Sequence, residues 1–189
     1  MVFLMPKYVK NLHEKYNHPT PTWQVYTSCK PEPIQYRVKC QTANINTSKP
    51  LPPEKLKLLQ SKLGTIYYYS RMMDLTTLVA NNDISINQAS ATFNTNDKMN
   101  KLMDYLCTNS NVKIKYRVSD MILKIHSDGS YLSVSNSRSR AGGYYYLGDN
   151  IPPEQPKKPQ GSIYQECSVI KPIMGLAAEY ETTTLYINC

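Results

Sequence analysis

One acidic residue, Asp128, lies where a carboxylate could bind a metal ion or approach a phosphate group. It ends the apolar part of the segment from Lys124 to Tyr131 and is followed directly by Gly129. A glycine at this place lets the backbone turn, or lets a ligand approach the chain closely. Because Asp-Gly-Ser is also an ordinary turn sequence, two interpretations stay open: a functional acid or a plain turn.

Two arginines follow this acid in a short basic stretch. Arg138 and Arg140 precede a pair of glycines and a hydrophobic segment. Guanidinium groups match the geometry of phosphate oxygens, so both arginines, together with Lys124, are candidates for contacts to nucleic acid. The alternative is a solvated turn without a ligand.

Two further acids, Glu179 and Glu181, lie at the start of a predicted helix, and the latter is 53 residues beyond Asp128. Side chains two residues apart on an α-helix point about 200° apart. The two glutamates therefore cannot both face one pair of metal ions.

Other catalytic or metal-binding arrangements find little support. The histidines His13, His18 and His126 show no ligand spacing, and a nucleophilic Ser127 or Cys167 needs a base that the sequence does not indicate. The cysteines are five, scattered, and without a C-x-x-C pair, which argues against a zinc site or a disulfide framework and predicts an intracellular location. They are Cys29, Cys40, Cys107, Cys167 and Cys189.

Positive charge concentrates in the first third of the chain. Residues 1–62 contain ten Lys and Arg against three Glu, which accounts for +7 of the formal net charge of +8. Interleaved aromatic residues suit a polyanion, since cations release phosphate counterions while aromatic rings stack on unpaired bases. A solvated basic loop is the alternative. The aromatic residues are Tyr8, Tyr16, Trp23, Tyr26 and Tyr36.

Length and hydropathy limit the architecture. The 189 residues provide for one ordinary domain or two small ones. No apolar run approaches the roughly 18 residues that a membrane-spanning helix needs, so we expect no membrane partner. The apolar start of the chain ends at Pro6, before the core of a secretory signal develops.

Helical periodicity begins only after a long Pro-rich stretch. The sequence predicts a loop with short strands over residues 1–53, then a helix over 53–72 with proline in its first turn and Glu54 complementing the helix dipole. Two further helices are predicted over 75–90 and 97–107, the latter capped within residues 94–96.

After residue 109 the pattern becomes typical of strands. Apolar residues at 112, 114 and 116 alternate with cations, and further strands are predicted over 121–126, 141–147 and 162–170. Alternation places Tyr145 on one face of its strand and both Tyr144 and Tyr146 on the other. A helix over 174–188 is expected after the last strand.

The order of these features resembles a known family. The run from Met121 to Gly148, with its HSD and SRSRAGGYYYLG sequences, resembles the opening hairpin of the ribonuclease H domain in copia-like retrotransposon Pol polyproteins. The segment from Ala177 to Glu181 resembles the start of that domain's first helix. Upstream, the segments from Leu63 to Asp74 and from Met103 to Leu106 are similar to the connection region that follows the reverse transcriptase.

This resemblance implies an α+β or α/β fold: a small helical connection unit followed by a truncated ribonuclease H-like mixed β-sheet with its first three strands and first helix. In this family, two Mg²⁺ ions held by clustered carboxylates cut the RNA strand of an RNA–DNA hybrid. By position, Asp128 matches the first catalytic acid and metal ligand. Glu181 matches the helix acid, and Glu179 is the less suitable choice.

The family's third and fourth acids have no counterpart, because they lie beyond the first helix and the sequence ends at Cys189. We therefore expect a Pol fragment that binds an RNA–DNA hybrid or DNA and is incomplete as a nuclease. Two alternatives stay open. One is a non-catalytic host interaction module, and the other is a split two-metal nuclease that a second chain completes.

The expected organisation has three parts. Residues 1–52 form a basic Pro-rich irregular segment, residues 53–111 a helical connection-like region, and residues 112–189 the truncated ribonuclease H-like domain. Within the last part, the strand around residues 122–126 is expected to be an unpaired apolar edge, which favours association and poor solubility.

Overall fold

The computed structural model of the chain describes residues 1–29, 46–134, 138–150 and 160–170, with the backbone alone at residues 131–133. These residues belong to two units. The helical unit contains residues 4–29 and 46–112, and the sheet unit contains residues 1–3 and the described residues from 113 onward. The predicted combination of helices and strands is confirmed. The predicted helix over 174–188, with Glu179 and Glu181, lies outside the described residues.

Within residues 4–29 and 46–112, the helical unit is built from four α-helices and two 3₁₀ turns. The helices are α1 (Pro6–Lys15), α2 (Pro53–Met72), α3 (Leu78–Ile86) and α4 (Phe93–Thr108), and the turns are Leu75–Thr77 and Gln88–Ser90. Helix α2 has the predicted bounds. Proline at its first position lacks only an amide hydrogen that has no partner inside a helix, and its fixed φ suits the first turn.

The predicted helix over residues 75–90 is α-helical only in its middle part, α3. A capped turn precedes it: the Asp74 carboxylate accepts hydrogen bonds from the amide of Thr76 at 3.1 Å and from its hydroxyl at 2.5 Å. Thr77 adds a bond from its hydroxyl to Ser70 Oγ at 2.8 Å. Burial raises the pKa of Asp74, while the bonds from Thr76 lower it. This polar turn fixes the corner between α2 and α3.

Helix α4 begins four residues earlier than the sequence predicted, and the expected caps within residues 94–96 are wrong. The cap is Thr92, which forms a reciprocal capping box with Thr95. A threonine hydroxyl in this position satisfies an amide that the helix leaves unpaired. The face that α4 presents to the core carries Met99, Leu102, Met103 and Leu106, each 0% exposed.

The prediction that residues 1–53 form only loop and short strands is wrong at residues 6–15, which form α1. This helix begins at Pro6 and buries Val9 and Leu12, which lie three residues apart on one face. Packing stabilises it: Tyr8 stacks on Tyr69 with ring centroids 5.5 Å apart and donates to the carbonyl of Thr65 at 2.9 Å. A helix of this length depends on such contacts rather than on its own propensity.

The described residues of the sheet unit form a two-stranded and a three-stranded sheet. Strands β1 (Val2–Leu4) and β2 (Lys113–Lys115) pair with each other, and β3 (Ile122–Val134), β4 (Arg138–Gly148) and β5 (Ser162–Val169) form an antiparallel sheet in the order β3-β4-β5. The strand predicted over 121–126 is thus much longer. Among the described strands, β3 pairs with β4 alone, which is the predicted edge position.

The predicted facing of the three consecutive tyrosines is confirmed. Tyr144 and Tyr146 lie on one face of β4 with ring centroids 5.7 Å apart. Tyr145 lies on the other face, where its ring meets Tyr164 of β5 at 5.2 Å and its hydroxyl donates to Glu166 at 3.1 Å. Side chains therefore alternate between the two faces of β4 at these positions, as a strand requires.

The first prediction concerns the buried face of α4. Replacing Leu102, which is 0% exposed, with alanine should lower the free energy of unfolding by about 2–5 kcal/mol, because the change leaves a cavity. The matched control is Leu58→Ala on α2, where the side chain is 47% exposed and the loss should stay within about 0.5 kcal/mol. Urea unfolding, followed through the helical circular dichroism signal, measures both. Equal losses would contradict this assignment of the core.

Candidate nucleic-acid interface

Asp128 lies inside β3, so the interpretation of Asp-Gly-Ser as a plain turn is wrong. Its cross-strand partner is Gly142 on β4, and its Oδ1 accepts a hydrogen bond from the amide of Gly129 at 2.8 Å. The carboxylate is exposed. A Cβ at Gly142 would be in ordinary contact with the Glu166 carbonyl oxygen, 3.8 Å away.

Strand alternation places Arg140 on the same face as this acid. Arg140 pairs with Ser130, which makes it a diagonal neighbour of Asp128, and Arg138 pairs with Val134 beyond a register shift. Both arginines are half-buried. Burial raises the pKa of the Cys167 thiol, and the positive charge of Arg140 opposes this shift. The structure therefore brings Asp128 and Arg140 together near one end of the hairpin.

Lys124 has a different place. It is 6% exposed, its Nζ donates to the backbone carbonyl of Asp149, and its aliphatic stem packs over Gly148. The ammonium group thereby joins β3 to the chain that leaves β4. This hydrogen bond has a structural role, and it lies at the opposite end of the β3–β4 hairpin from Arg140.

An aromatic cluster that the sequence reading missed shares the face of Asp128. His126 stacks on Tyr146, with ring centroids 5.3 Å apart and planes at 17°, and the two side chains share a hydrogen bond of 3.0 Å between Nε2 and the hydroxyl. Tyr144 extends this cluster. Alternation groups His126 with Asp128 on β3 and Tyr144 with Tyr146 on β4, and the register brings the two groups to the same face. We call the side chains of this surface the hairpin face: Lys124, His126, Asp128, Arg140, Tyr144 and Tyr146.

The described residues do not form a metal centre around Asp128. Within the part of the chain that the structure describes, no group of three or more His, Cys, Asp and Glu side chains is placed to hold a metal ion. The nearest acid on β5, Glu166, is bonded to Tyr145 on the opposite face. The Mg²⁺ pair and the role of Glu181 as a ligand therefore stay predictions from the resemblance.

The helical unit contains a second polar site that the sequence did not predict. Two of the histidines contact each other: the rings of His13 and His18 meet edge to face, with 5.2 Å between their centroids. Asn17, in the left-handed region at φ 46°, reverses the chain after α1, so that the amide of His18 donates to the His13 carbonyl at 3.1 Å. His18 Nε2 lies 2.7 Å from Asp104 Oδ1.

These histidines border an open cleft of about 580 Å³ in the helical unit. Burial, with His18 alongside, lowers the pKa of His13. Cys107 also lines the cleft, and burial together with Asp104 raises the pKa of its thiol. A thiol with a raised pKa is a poor nucleophile. Both shifts favour the uncharged forms, an imidazole at His13 and a thiol at Cys107, which argues against an activated catalytic pair in this cleft.

Comparison of the chain with protein-family models, curated proteins and solved structures gives no match. No helix among the described residues is both long and apolar enough to cross a membrane. Cys29, Cys107 and Cys167 are free thiols. The hairpin face, which combines an acid, an arginine and aromatic rings, is the candidate functional surface.

The second prediction concerns His13 and the pH dependence of stability. In the unfolded chain His13 takes up a proton near its ordinary pKa of 6.5, whereas in the folded protein its pKa is lower. The free energy of unfolding should therefore fall as the pH drops below that value, by at most about 1.4 kcal/mol per pH unit for this group. His13→Phe should reduce this acid sensitivity.

Thermal unfolding midpoints measured between about pH 7 and pH 5, where histidine titrates, test this. The control is His126→Gln, which removes an exposed histidine from the hairpin face. An unchanged pH dependence in His13→Phe would contradict the prediction.

Proposed function

We propose that this protein is a retroelement-derived Pol segment that binds nucleic acid, with an RNA–DNA hybrid as its preferred ligand, through the hairpin face. One observation carries the proposal: the antiparallel register puts Asp128 and Arg140 on the same face, diagonally across two strands. The succession of a helical unit and an antiparallel three-stranded sheet also agrees with the arrangement that the family resemblance implies.

The chemistry of this face suits a sugar-phosphate backbone. The Arg140 guanidinium offers paired donors to phosphate oxygens, and Arg138 continues the positive charge along β4. Close by, the exposed ring of His126 stacks on Tyr146, which keeps it in a fixed orientation. Phosphate contacts of this type set position and register on a duplex rather than sequence preference.

Cleavage is not part of the primary proposal, because the described residues supply only one acid, Asp128, to this face. Two-metal catalysis needs several carboxylates that hold both ions. A split two-metal nuclease completed by another chain is the second candidate, and one observation favours it: among the described strands, β3 leaves one edge unpaired. We place either activity inside the cell, as the free cysteines favour.

Arginine substitutions test the primary proposal. Arg138→Ala and Arg140→Ala should each weaken hybrid binding, and each should reduce the slope of log K against log salt by about one unit. Arg117→Ala is the matched control, because Arg117 is exposed in the same unit but lies outside the hairpin face. Fluorescence anisotropy of a labelled hybrid, measured at several salt concentrations, gives the slopes. Equal effects from all three substitutions would indicate only general attraction to a basic protein.

A cleavage assay then separates the two candidates. The chain is incubated with hybrid and Mg²⁺ or Mn²⁺ beside Asp128→Asn and Glu181→Gln. Cleavage that both substitutions abolish would support the two-metal nuclease. Salt-sensitive binding without cleavage would support the binding function, and in the absence of metal Asp128→Asn should then bind more tightly, since it removes a negative charge facing phosphate.

A further inference from the structure

A segment ahead of α2 holds the two most exposed aromatic rings of the helical unit. Residues 18–29, which we call the strap, follow α1 and lie against α4 and the 3₁₀ turn before α3. Trp23 in this segment is 74% exposed and Tyr26 is 83% exposed. By contrast, Tyr8 and Tyr16 from the same N-terminal stretch form hydrogen bonds to α2.

Hydrogen bonds fix the backbone between the two rings. The amide of Val25 donates to Thr108 Oγ1 at 3.3 Å, and its carbonyl accepts from Asn109 Nδ2 at 2.8 Å. Gln24 Nε2 donates to the carbonyl of Thr108 at 3.2 Å. The residues on either side of this anchor, Trp23 and Tyr26, are thus presented to solvent from a backbone that is already ordered.

Both ends of the strap are attached as well. His18 lies 2.7 Å from Asp104 at one end, and near the other Ser28 Oγ donates to the carbonyl of Thr76 at 2.9 Å. Lys101 Nζ donates to the carbonyl of Cys29 at 3.3 Å, which brings a cation to that end. Large aromatic side chains held on a pre-ordered segment lose little conformational freedom when they bind a ligand.

The chemistry around the rings indicates what the ligand is. The strap sequence, HPTPTWQVYTSC, contains no acidic residue, and the exposed neighbours of the rings include Thr22, Gln24 and Thr27. An interface with an apolar protein surface would bury a more continuous apolar patch. Planar, polar ligands that carry negative charge fit better: nucleobases stack on aromatic rings, and their phosphates are attracted to cations such as Lys101.

We propose that the strap is a stacking platform for single-stranded nucleic acid, with Trp23 and Tyr26 each accepting one unpaired base. This site goes beyond the proposed function, because it lies in the helical unit, uses no residue of the hairpin face and takes unpaired bases rather than a hybrid. Lys101 contributes positive charge near the phosphates. Base stacking on an aromatic platform tolerates any sequence, so the platform binds without base preference.

The protein supplies its own reporter, since Trp23 is the sole tryptophan. Titration of the full chain with a short oligothymidylate should quench its fluorescence, and added salt should weaken the binding. Inorganic polyphosphate and a blunt DNA duplex are the comparison ligands. Both should quench much less, because neither offers an unpaired base.

Three variants sharpen the test. Tyr26→Ala keeps the reporter and should weaken oligothymidylate binding about tenfold, which is the effect expected from the loss of one stacked base. Tyr67→Ala is the matched control, because Tyr67 is 40% exposed in the same unit and next to Arg71, and it should leave the affinity unchanged. Trp23→Phe, followed by anisotropy of a labelled oligonucleotide, should retain most of the affinity that Trp23→Ala loses.

The outcomes decide the proposal. Absence of quenching by oligothymidylate, equal quenching by polyphosphate, or equal effects of Tyr26→Ala and Tyr67→Ala would each overturn it. Circular dichroism of each variant excludes unfolding as the cause of a loss. Because Arg138→Ala and Arg140→Ala should not change quenching at Trp23, failure of the strap and failure of the hairpin face are distinguishable.

Discussion

The register between β3 and β4 is the constraint on which the candidate interface depends. Asp128 opposite Gly142, and His126 opposite Tyr144, place the acid, the imidazole and the Arg140 guanidinium on one face. If β3 slipped by one residue, Asp128 and His126 would lie on the opposite face from Arg140. Stacking of His126 on Tyr146 favours the observed register, since it joins the two strands through side chains as well as through backbone hydrogen bonds.

The helical unit could be predicted wherever local signals agree. Helix α2 has proline at its start and apolar residues at helical spacing, and its bounds follow from these features. Helix α1 also begins at a proline and has Val9 and Leu12 on one face, but its ten residues are too few to be stable alone, so it depends on stacking of Tyr8 on Tyr69, a contact distant in sequence. The early start of α4 depends on a capping box that a threonine at residue 92 forms with Thr95.

The candidate sites, too, include features that follow from local rules and features that depend on tertiary contacts. Alternation within β4 correctly separated Tyr145 from its neighbours, whereas the grouping of His126 with Tyr146 also requires the register between β3 and β4. The approach of His13 to His18 could not be predicted, since it requires the left-handed conformation of Asn17 after the end of α1. The exposure of Trp23 likewise depends on where tertiary contacts place the strap.

The attachment of the strap to the end of α4 also bears on the order in which the helical unit folds. Val25 and Asn109 are 84 residues apart in the chain, so their hydrogen bond closes a long loop, whereas α3 and α4 are near neighbours in sequence. Local contacts form before distant ones because loop closure costs entropy that only later contacts offset. We therefore expect the strap to dock last and to open first, as a subglobal fluctuation that amide hydrogen exchange would detect while the core of α4 stays protected.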